Sequence, residues 1–222
     1  MKIARYLDHA VLKPELTRQE AEEAIKLGIS YEVRTVCVRP CDLELAVALC
    51  QGTQTEVSVV LNFPHGCSST AIKAAEARDY SQKGARELDM VANYGWIRSG
   101  LYDLVEQDIR AVVEAAQPFN VTVKVILETS QLTLEQIARA TQAAIAAGAA
   151  FVKTSTGFNG PGATEEAVDV MLKTSQGRIK VKPSGGIRDA ARAAMFVKMG
   201  ADRLGVNYTS TPEICKSAAG NP

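Results

Sequence analysis

Two lysines in this chain, Lys153 and Lys182, each end an apolar run and precede a turn rich in Gly, Ser and Thr. The two segments read AFVKTSTG from residue 150 and IKVKPSGG from residue 179. An ammonium group in an apolar wall loses hydration, and a second ammonium nearby disfavours its charged form further, so one amine can become neutral and nucleophilic. Such a pair suits Schiff-base chemistry. The alternative is that both lysines extend from strand ends into solvent.

The elements that must position these lysines are indicated by apolar runs. Eight runs predict strands at residues 6–12, 33–38, 57–63, 87–92, 121–128, 151–153, 179–182 and 203–206. Helical periodicity fills the stretches between them, at residues 18–27, 40–49, 69–83, 101–116, 134–147, 164–174 and 189–199. Strands this apolar, alternating with amphipathic helices, predict a parallel sheet whose outer face is covered by helices.

A weak internal repeat indicates how these strands are arranged. A helix ending in glycine runs into a strand at Gly28, Gly84, Gly148 and Gly200, at intervals of 56, 64 and 52 residues. Each interval is close to two βα units, so the pattern predicts a TIM (β/α)8 barrel that forms one domain over residues 1–222. The doubly wound open sheet is the competing architecture. It is less favoured because the repeat persists to the C-terminus and no GxGxxG follows the first strand.

In a parallel barrel, catalytic residues collect at the carboxyl ends of the strands. At or near those ends stand Asp8, Cys37, Asn62, Asp89, Asn93, Glu128, Lys153, Lys182, Gly205 and Asn207. Charges inside apolar strands are costly unless they are paired, so we expect carboxylates and lysines to form a cluster there. A structural ion-pair network would produce the same set. It is less favoured because two neighbouring lysines repel each other.

Composition narrows the classes of function. Lys plus Arg equals Asp plus Glu at 25 each, and the charges are interspersed, which argues against a nucleic-acid surface or a membrane-binding basic patch. The five cysteines form no CxxC pair and only two histidines are present, so the spacings of zinc sites are missing. With no signal peptide or long apolar stretch, the sequence predicts a reduced, cytoplasmic protein without a metal.

The motifs resemble, in order and over nearly the whole chain, those of the deoxyribose-phosphate aldolases. They are LDHAVL from residue 7, VCV from 36, NFPHG from 62, ELDMV from 87, VKVILET from 123, VKTSTG from 152 and KPSGGIR from 182. The pairing of KTSTG with KPSGG at this separation is the most specific part. The resemblance implies a TIM-barrel class I aldolase, EC 4.1.2.4, that needs no cofactor. Its expected partners are small-molecule phosphorylated sugar and aldehyde substrates.

The implied reaction is the reversible cleavage of 2-deoxy-D-ribose 5-phosphate into D-glyceraldehyde 3-phosphate and acetaldehyde. By the resemblance, Lys153 is the Schiff-base lysine and Lys182 is the second lysine, which stays protonated and perturbs the first. Asp89 matches the aspartate that moves protons, and Asp8 an acid that supports the same network. Cys37 matches a cysteine beside the pocket with no required chemical role. Exposed faces on the barrel helices make a homodimer the expected assembly.

The phosphate end is expected in the turns after the late strands. Candidate substrate contacts are Thr154, Gly157, Gly185, Gly186, Ile187, Arg188, Gly205 and Asn207, whose backbone N–H groups could hold an anion near a helix start. The family has two serines after a Gly and a small residue, whereas this chain reads GVNY from residue 205. We therefore expect weaker phosphate binding, with Tyr208 adding bulk there.

That departure leaves a second activity open. The alternative is a Schiff-base aldolase of the same family that acts on a different or unphosphorylated aldehyde or deoxysugar. A non-catalytic barrel that only binds a sugar phosphate is the third possibility. It is disfavoured because a mere binder gains nothing from two close ammonium groups.

Overall fold

The computed structural model describes residues 2–217, in which eight parallel strands alternate with helices. The strands are β1 (Leu7–Val11), β2 (Thr35–Val38), β3 (Glu56–Leu61), β4 (Glu87–Val91), β5 (Thr122–Ile126), β6 (Phe151–Lys153), β7 (Lys180–Lys182) and β8 (Leu204–Asn207). The helices are α1 (Arg18–Ser30), α2 (Leu43–Cys50), α3 (Thr70–Gln82), α4 (Tyr94–Arg98), α5 (Tyr102–Ala116), α6 (Leu134–Ala146), α7 (Glu165–Ser175), α8 (Ala190–Met199) and α9 (Thr211–Ser217).

The sheet runs in the order β7-β6-β5-β4-β3-β2-β1-β8, with all named pairs parallel. Its two outer strands meet through a parallel bridge between Ser184 and Gly205. Two backbone hydrogen bonds support that seam: the N–H of Gly205 donates to the carbonyl of Pro183 at 2.8 Å, and that of Asp202 to the carbonyl of Val181 at 3.0 Å. The predicted eight-stranded TIM barrel is thereby confirmed.

The apolar core lies outside the barrel, between the sheet and its helices. On β5, Val123 and Val125 pack in this core, whereas the alternate residue Lys124 contacts charged groups inside the ring of strands. Side chains alternate between the two faces of a strand, so one residue in two faces the interior. The barrel interior is therefore available for polar chemistry without disturbing the core.

Three of the four repeat glycines take the left-handed conformation expected where a helix stops, namely Gly84, Gly148 and Gly200. Gly28 does not, and the prediction of a helix end there is wrong, because α1 continues to Ser30. Gly28 is instead a close-packing position: an added Cβ would lie 2.9 Å from Cδ2 of His9 and 2.8 Å from Cγ1 of Val36. It lets α1 pack directly on β1 and β2.

The sequence patterns did not predict α4 and α9, which are short. Five 3₁₀ helices also occur within residues 2–217, at Ile3–Tyr6, Pro40–Asp42, Gln117–Phe119, Thr129–Gln131 and Tyr208–Ser210. The last of these joins β8 to α9, so the chain leaves the barrel through a continuous helical segment. Of the helices in this described part of the chain, none is both long enough and apolar enough to traverse a bilayer.

Candidate active site

One carboxylate joins the two lysines that the sequence analysis singled out. Lys153 on β6 and Lys182 on β7 are register partners, so both side chains enter the barrel from neighbouring strands. Oδ2 of Asp89, on β4, accepts hydrogen bonds from Nζ of Lys153 at 2.8 Å and from Nζ of Lys182 at 2.7 Å. The structure thus brings the predicted amine pair and the predicted acid into direct contact.

A second carboxylate, Asp8 on β1, distinguishes the two lysines. Nζ of Lys182 lies 2.5 Å from Oδ2 of Asp8, while Oδ1 of Asp8 accepts a hydrogen bond from the Thr35 hydroxyl at 2.8 Å. Lys182 is therefore paired with two carboxylates. The only carboxylate that Lys153 contacts within residues 2–217 is Asp89. Lys153 is the less constrained of the two amines.

Beneath this pair lies a layer of charged residues that the sequence analysis did not single out. Lys124 on β5 contacts Oδ2 of Asp8 at 2.7 Å and Oδ1 of Asp89 at 3.0 Å, and it also contacts Glu87 on β4. Arg203 donates to both carboxylate oxygens of Glu87 at 3.1 Å and to Oδ1 of Asp8 at 2.7 Å. These contacts fix Asp8 and Asp89 from below, so the two acids are rigidly placed.

The formal charges of this interior cluster do not balance. Its four basic groups are Lys124, Lys153, Lys182 and Arg203, and its three carboxylates are Asp8, Glu87 and Asp89. Uncompensated charge is expensive away from water. The cluster becomes neutral when one of its lysines is an uncharged amine, which is the form that attacks a carbonyl.

Both acids remain ionised in spite of their burial. Burial raises the pKa of Asp89. The ammonium groups of Lys124, Lys153 and Lys182 outweigh this effect and hold that pKa well below its usual range. Burial likewise raises the pKa of Asp8, and neighbouring cations, led by Lys124 and Lys182, lower it far more. Asp8 and Asp89 are therefore ionised at neutral pH and accept hydrogen bonds from the ammonium groups around them.

The surroundings of Lys182 and of Lys124 shift the two pKa values in opposite directions. Burial lowers the pKa of Lys182, and the ammonium groups of Lys124 and Lys153 act in the same direction, so that Asp8 and Asp89 do not compensate. Burial also lowers the pKa of Lys124, yet the carboxylates around it raise that pKa well above normal. Lys124 is thus the ammonium group that its surroundings stabilise most strongly. Its position among three carboxylates makes it a third interior lysine beside the predicted pair.

An open cavity of about 410 Å³ lies above the cluster, a volume typical of small-molecule sites. Its buried floor is formed by Asp8, Cys37, Lys153 and Lys182. Its exposed rim includes Lys13, Gly157, Phe158, Gly186, Arg188, Asn207 and Thr209. Of the three groups Lys153, Lys182 and Asp89, the two lysines line the cavity and Asp89 is fully buried beneath them.

Most of the other predicted substrate contacts also line this cavity, namely Gly185, Ile187 and Gly205. Thr154 does not. Its hydroxyl donates to the carbonyl of Ser184 at 3.0 Å and accepts from the backbone N–H of Ser184 at 2.9 Å, so it ties β6 to the turn after β7. Its expected substrate contact is replaced by a structural role, because the chain turns its side chain away from the cavity.

Cys37 lies in the floor as an un-ionised thiol. Burial raises its pKa to about 11, and the carboxylate of Asp89 acts in the same direction. A cysteine nucleophile must be a thiolate, so this environment suppresses its reactivity. The finding agrees with the expectation that Cys37 borders the pocket without a chemical role.

Three other polar residues near strand ends serve the turns rather than the cavity. The side chain of Asn62 bonds with Ser68, and that of Asn93 caps α4 by accepting from the backbone N–H of Trp96 at 3.1 Å. Glu128 accepts from the backbone N–H of Thr156 at 3.2 Å and thereby holds the turn after β6. These three side chains stabilise turns near the cavity without lining the cavity itself.

The expected obstruction by Tyr208 is wrong. Tyr208 is half-buried against the apolar core, with its ring 6.3 Å from that of His9, and it does not line the cavity. The residues that follow it, Thr209 and Ser210, do line the cavity. Oδ1 of Asn207 accepts from the hydroxyl of Thr209 at 2.9 Å. Small hydroxyl groups are therefore present at this rim, although later in the sequence than the family pattern places them.

Two rim residues were also missed by sequence reasoning. Lys13 lies two residues after the end of β1, so its place near a carboxyl strand end was the available signal, and it adds a cation beside the cavity. Phe158 lies in the turn after β6 and packs edge-on against Phe63, with ring centroids 5.1 Å apart. No local pattern in the sequence predicts that aromatic pair.

Gly205 stands where the barrel seam meets the cavity, and Gly205→Ala is expected to lower both turnover and stability. A Cβ there would lie 2.8 Å from Cβ of Ser184 and 3.3 Å from Cε of Lys182, so β7 and β8 must separate. Overpacking of this kind typically costs about 1–3 kcal/mol. Thermal unfolding and steady-state kinetics measure the two effects. Gly95→Ala, on the exposed side of α4, is the control, and equal behaviour of the two variants would contradict the prediction.

Comparison with known proteins agrees with this geometry. The sequence model described as DeoC/LacD family aldolase matches residues 2–211. A deoxyribose-phosphate aldolase of Streptococcus sanguinis is 46% identical over 207 residues, which are 93% of each chain. The structure named QR15, an aldolase, has a TM-score of 0.91 at 37% identity and covers 98% of this chain and 96% of that chain. A tetrameric deoxyribose phosphate aldolase from Aeropyrum pernix has a TM-score of 0.89 at 26% identity, covering 98% and 91%.

Proposed function

This chain belongs to the DeoC/LacD family of aldolases, and we propose that it is a class I aldolase of the lyase class EC 4.1.2.4. Its proposed reaction is the reversible cleavage of 2-deoxy-D-ribose 5-phosphate into D-glyceraldehyde 3-phosphate and acetaldehyde. The observation that carries the proposal is the pair of amines, Lys153 and Lys182, held by the one carboxylate of Asp89 at the floor of a cavity. The names of the similar relatives support the substrate.

We assign the imine to Lys153. Among residues 2–217 its ammonium has one carboxylate partner, Asp89, whereas Lys182 is also held by Asp8. An amine must leave its ion pair to reach a carbonyl carbon, and Lys153 has fewer contacts to give up. The neutral form of Lys153 would also balance the interior charge.

The first half of the proposed reaction forms a carbon–nitrogen bond. The neutral amine of Lys153 attacks the aldehyde carbon of the open-chain sugar, and the carbonyl oxygen takes up a proton. Loss of water from this carbinolamine gives a protonated imine. Asp89 and Lys182 lie within hydrogen-bond distance of each other and beside Lys153, so they can supply and remove these protons.

The second half breaks the carbon–carbon bond. Removal of a proton from the C3 hydroxyl lets the electrons of the C2–C3 bond move toward the imine nitrogen, which releases D-glyceraldehyde 3-phosphate and leaves an enamine. Protonation of the enamine carbon and hydrolysis of the resulting imine release acetaldehyde and restore Lys153. The positive charge of the imine accommodates the electron pair, so the amine itself provides the electron sink.

The phosphate would lie at the rim of the cavity near the turn after β7. Gly186 and Arg188 lie there on the route into α8, and Lys13 and Asn207 complete a basic and polar edge. The helix start itself is already occupied, because the Asp189 side chain accepts from the backbone N–H of Arg192 at 2.8 Å. The anion is thus expected to depend on the turn and on rim side chains more than on the helix end.

Aldol cleavage of 2-deoxyribose 5-phosphate and of 2-deoxyribose, assayed side by side, tests the substrate. The basic rim at Lys13 and Arg188 predicts a higher kcat/KM for the phosphorylated sugar by at least about tenfold, the value of one hydrogen bond to a charged group. Equal turnover of both sugars would favour an aldolase for unphosphorylated substrates. Cleavage of neither would contradict the proposed function.

We also propose a homodimer in the cytoplasm. Large apolar side chains are exposed on neighbouring helices and the segments that lead into them, namely Ile72, Leu101, Leu104 and Leu134, which favours self-association. All five cysteines are free thiols, as is usual for proteins of a reducing compartment.

A further inference from the structure

We propose that Phe151 closes the lower end of the barrel, opposite the cavity, and keeps water away from the charged groups on which the amine chemistry depends. Phe151 begins β6, two residues before Lys153. The inference rests on the proposed function only for the reaction that a dry interior serves. It gives a role to a buried aromatic ring that does not line the cavity.

The ring of Phe151 faces the interior of the barrel. Successive side chains of a strand alternate between its two faces, so Phe151 and Lys153 share one face. Val152, between them, packs in the apolar core, whereas Phe151 is buried outside that core. Phe151 therefore lies inside the ring of strands, one layer below Lys153.

Three cations surround this ring. Its centroid lies 5.9 Å from Nζ of Lys124, 5.4 Å from Cζ of Arg203 and 5.4 Å from Nζ of Lys180. Cations within about 6 Å of an aromatic face are attracted by its π electrons. Lys124 and Lys180 are also the register partners of Phe151 on β5 and β7. These contacts hold the ring across the lower end of the barrel.

The three cations belong to two environments, and the ring lies at the boundary between them. Lys124 is completely buried and Arg203 is 7% exposed, whereas Lys180 is exposed on the surface. Thr122, which shares the interior face of β5 with Lys124, is partly exposed at the start of that strand. Phe151 is the large apolar side chain that separates solvent at this end from the buried cations.

A closed lower end matters because the upper end is open until substrate binds. The cavity lies above the charged cluster, and a bound sugar covers the amines from that side. The lower end is then a second route for water. The cluster has one more basic group than it has carboxylates, and this excess charge is costly only where water is excluded. A sealed interior therefore favours the neutral amine that attacks a carbonyl.

Lys182 is the amine whose titration measures this exclusion of water. Burial is the largest influence on the pKa of Lys182 and lowers it. Water admitted from below would weaken that influence, so the pKa should rise. The titratable groups that face Lys182 from the other strands are Asp8 on β1, Cys37 on β2, Asp89 on β4, Lys124 on β5 and Lys153 on β6.

Phe151→Ala is expected to admit water, because charged groups line the gap it leaves, and polar gaps take up water whereas apolar ones stay dry. Labelling with acetic anhydride over a range of pH, mapped by mass spectrometry of peptides, measures the neutral fraction of each amine. The titration of Lys182 should move to higher pH by about one unit, a part of the about 3–5 units that full burial can impose. The pH profile of aldol cleavage should move in the same direction.

Two further variants separate a seal from general loosening of the fold. Phe151→Leu keeps a large apolar side chain at the lower end, so it should leave the titration of Lys182 in place. Phe196→Ala removes another buried phenylalanine, one that packs in the outer core with the guanidinium of Arg192 5.2 Å from its ring centroid. It should lower the melting temperature as Phe151→Ala does, without moving the titration of Lys182.

An unchanged titration of Lys182 in Phe151→Ala would overturn the inference, and so would an equal change in Phe151→Leu or in Phe196→Ala. If Phe151→Ala does not fold, Phe151→Val leaves a smaller gap at the same place, and its titration decides in the same way. If the unmodified chain cleaves neither sugar, the proposed reaction fails. The labelling needs no substrate, so it still decides whether Phe151 excludes water.

Discussion

Lys153→Ala is expected to abolish aldol cleavage, because the amine that forms the imine has no substitute in the cavity. Lys182 is the other amine of the floor, but it is held by both Asp8 and Asp89. Without an imine the electron pair of the breaking bond has no acceptor, so the rate should fall to the uncatalysed background. Lys173→Ala, which removes an exposed lysine of α7 paired with Asp169, is the control and should retain full activity.

Chemical trapping identifies the amine directly. Acetaldehyde with borohydride should leave a two-carbon adduct on Lys153 in the unmodified chain, mapped by mass spectrometry of its peptides. The Lys153→Ala variant should carry no such adduct at the active site. An adduct on Lys182 would reverse the assignment of the two lysines, and no adduct on either would remove imine chemistry from the proposal.

Asp89→Asn is expected to reduce turnover by about 10²–10⁴-fold, the usual contribution of a positioned acid or base. The amide is neutral, so it neither pairs with two ammonium groups nor takes up protons. We expect aldehyde to bind still, while imine formation and proton exchange at the acetaldehyde methyl group both slow. Exchange followed by NMR, beside borohydride trapping, separates these steps.

Stability must be measured alongside this activity. Removing one partner of a buried ion pair costs about 3–5 kcal/mol, so the Asp89→Asn kinetics need a temperature at which the variant is folded. Asp103→Asn, at an exposed position in the first turn of α5, is the control for exchanging a carboxylate for an amide. Normal methyl exchange in a folded Asp89→Asn variant would transfer the proton-carrying role to Asp8.

The amine pair was predictable because local signals coincide there. Lys153 and Lys182 each end a short apolar strand and precede a glycine turn, and parallel strands place such ends at one rim. Lys124 gave a weaker signal of another kind. It alternates with Val123 and Val125 on β5, so strand periodicity indicates a place inside the barrel, but its position in the middle of the strand puts it below the rim where catalytic residues collect.

Other parts of the site depend on contacts between distant segments. Arg203 pairs with Glu87 across 116 residues of chain, and Thr211 bonds with His9 across 202 residues. No periodicity or motif specifies such a pair. Tyr208 shows the consequence: a family pattern fixes its place in the sequence, but the direction of its side chain follows from packing against the far end of the chain.

The separation between an apolar shell and a charged interior has a consequence for how such a barrel can diverge. The apolar residues that hold the fold together lie on the outer face of the strands and on the helices, so the interior could be replaced without loss of the architecture. Substituting one charged residue of the interior leaves its partner as an unpaired buried charge. Replacing a whole buried ionic group by apolar residues often leaves the free energy of unfolding unchanged or increases it. Mutational routes to a different interior chemistry therefore begin with a loss of stability at their first step. A different interior chemistry is therefore reached more readily by paired, compensating substitutions than by single substitutions made one after another.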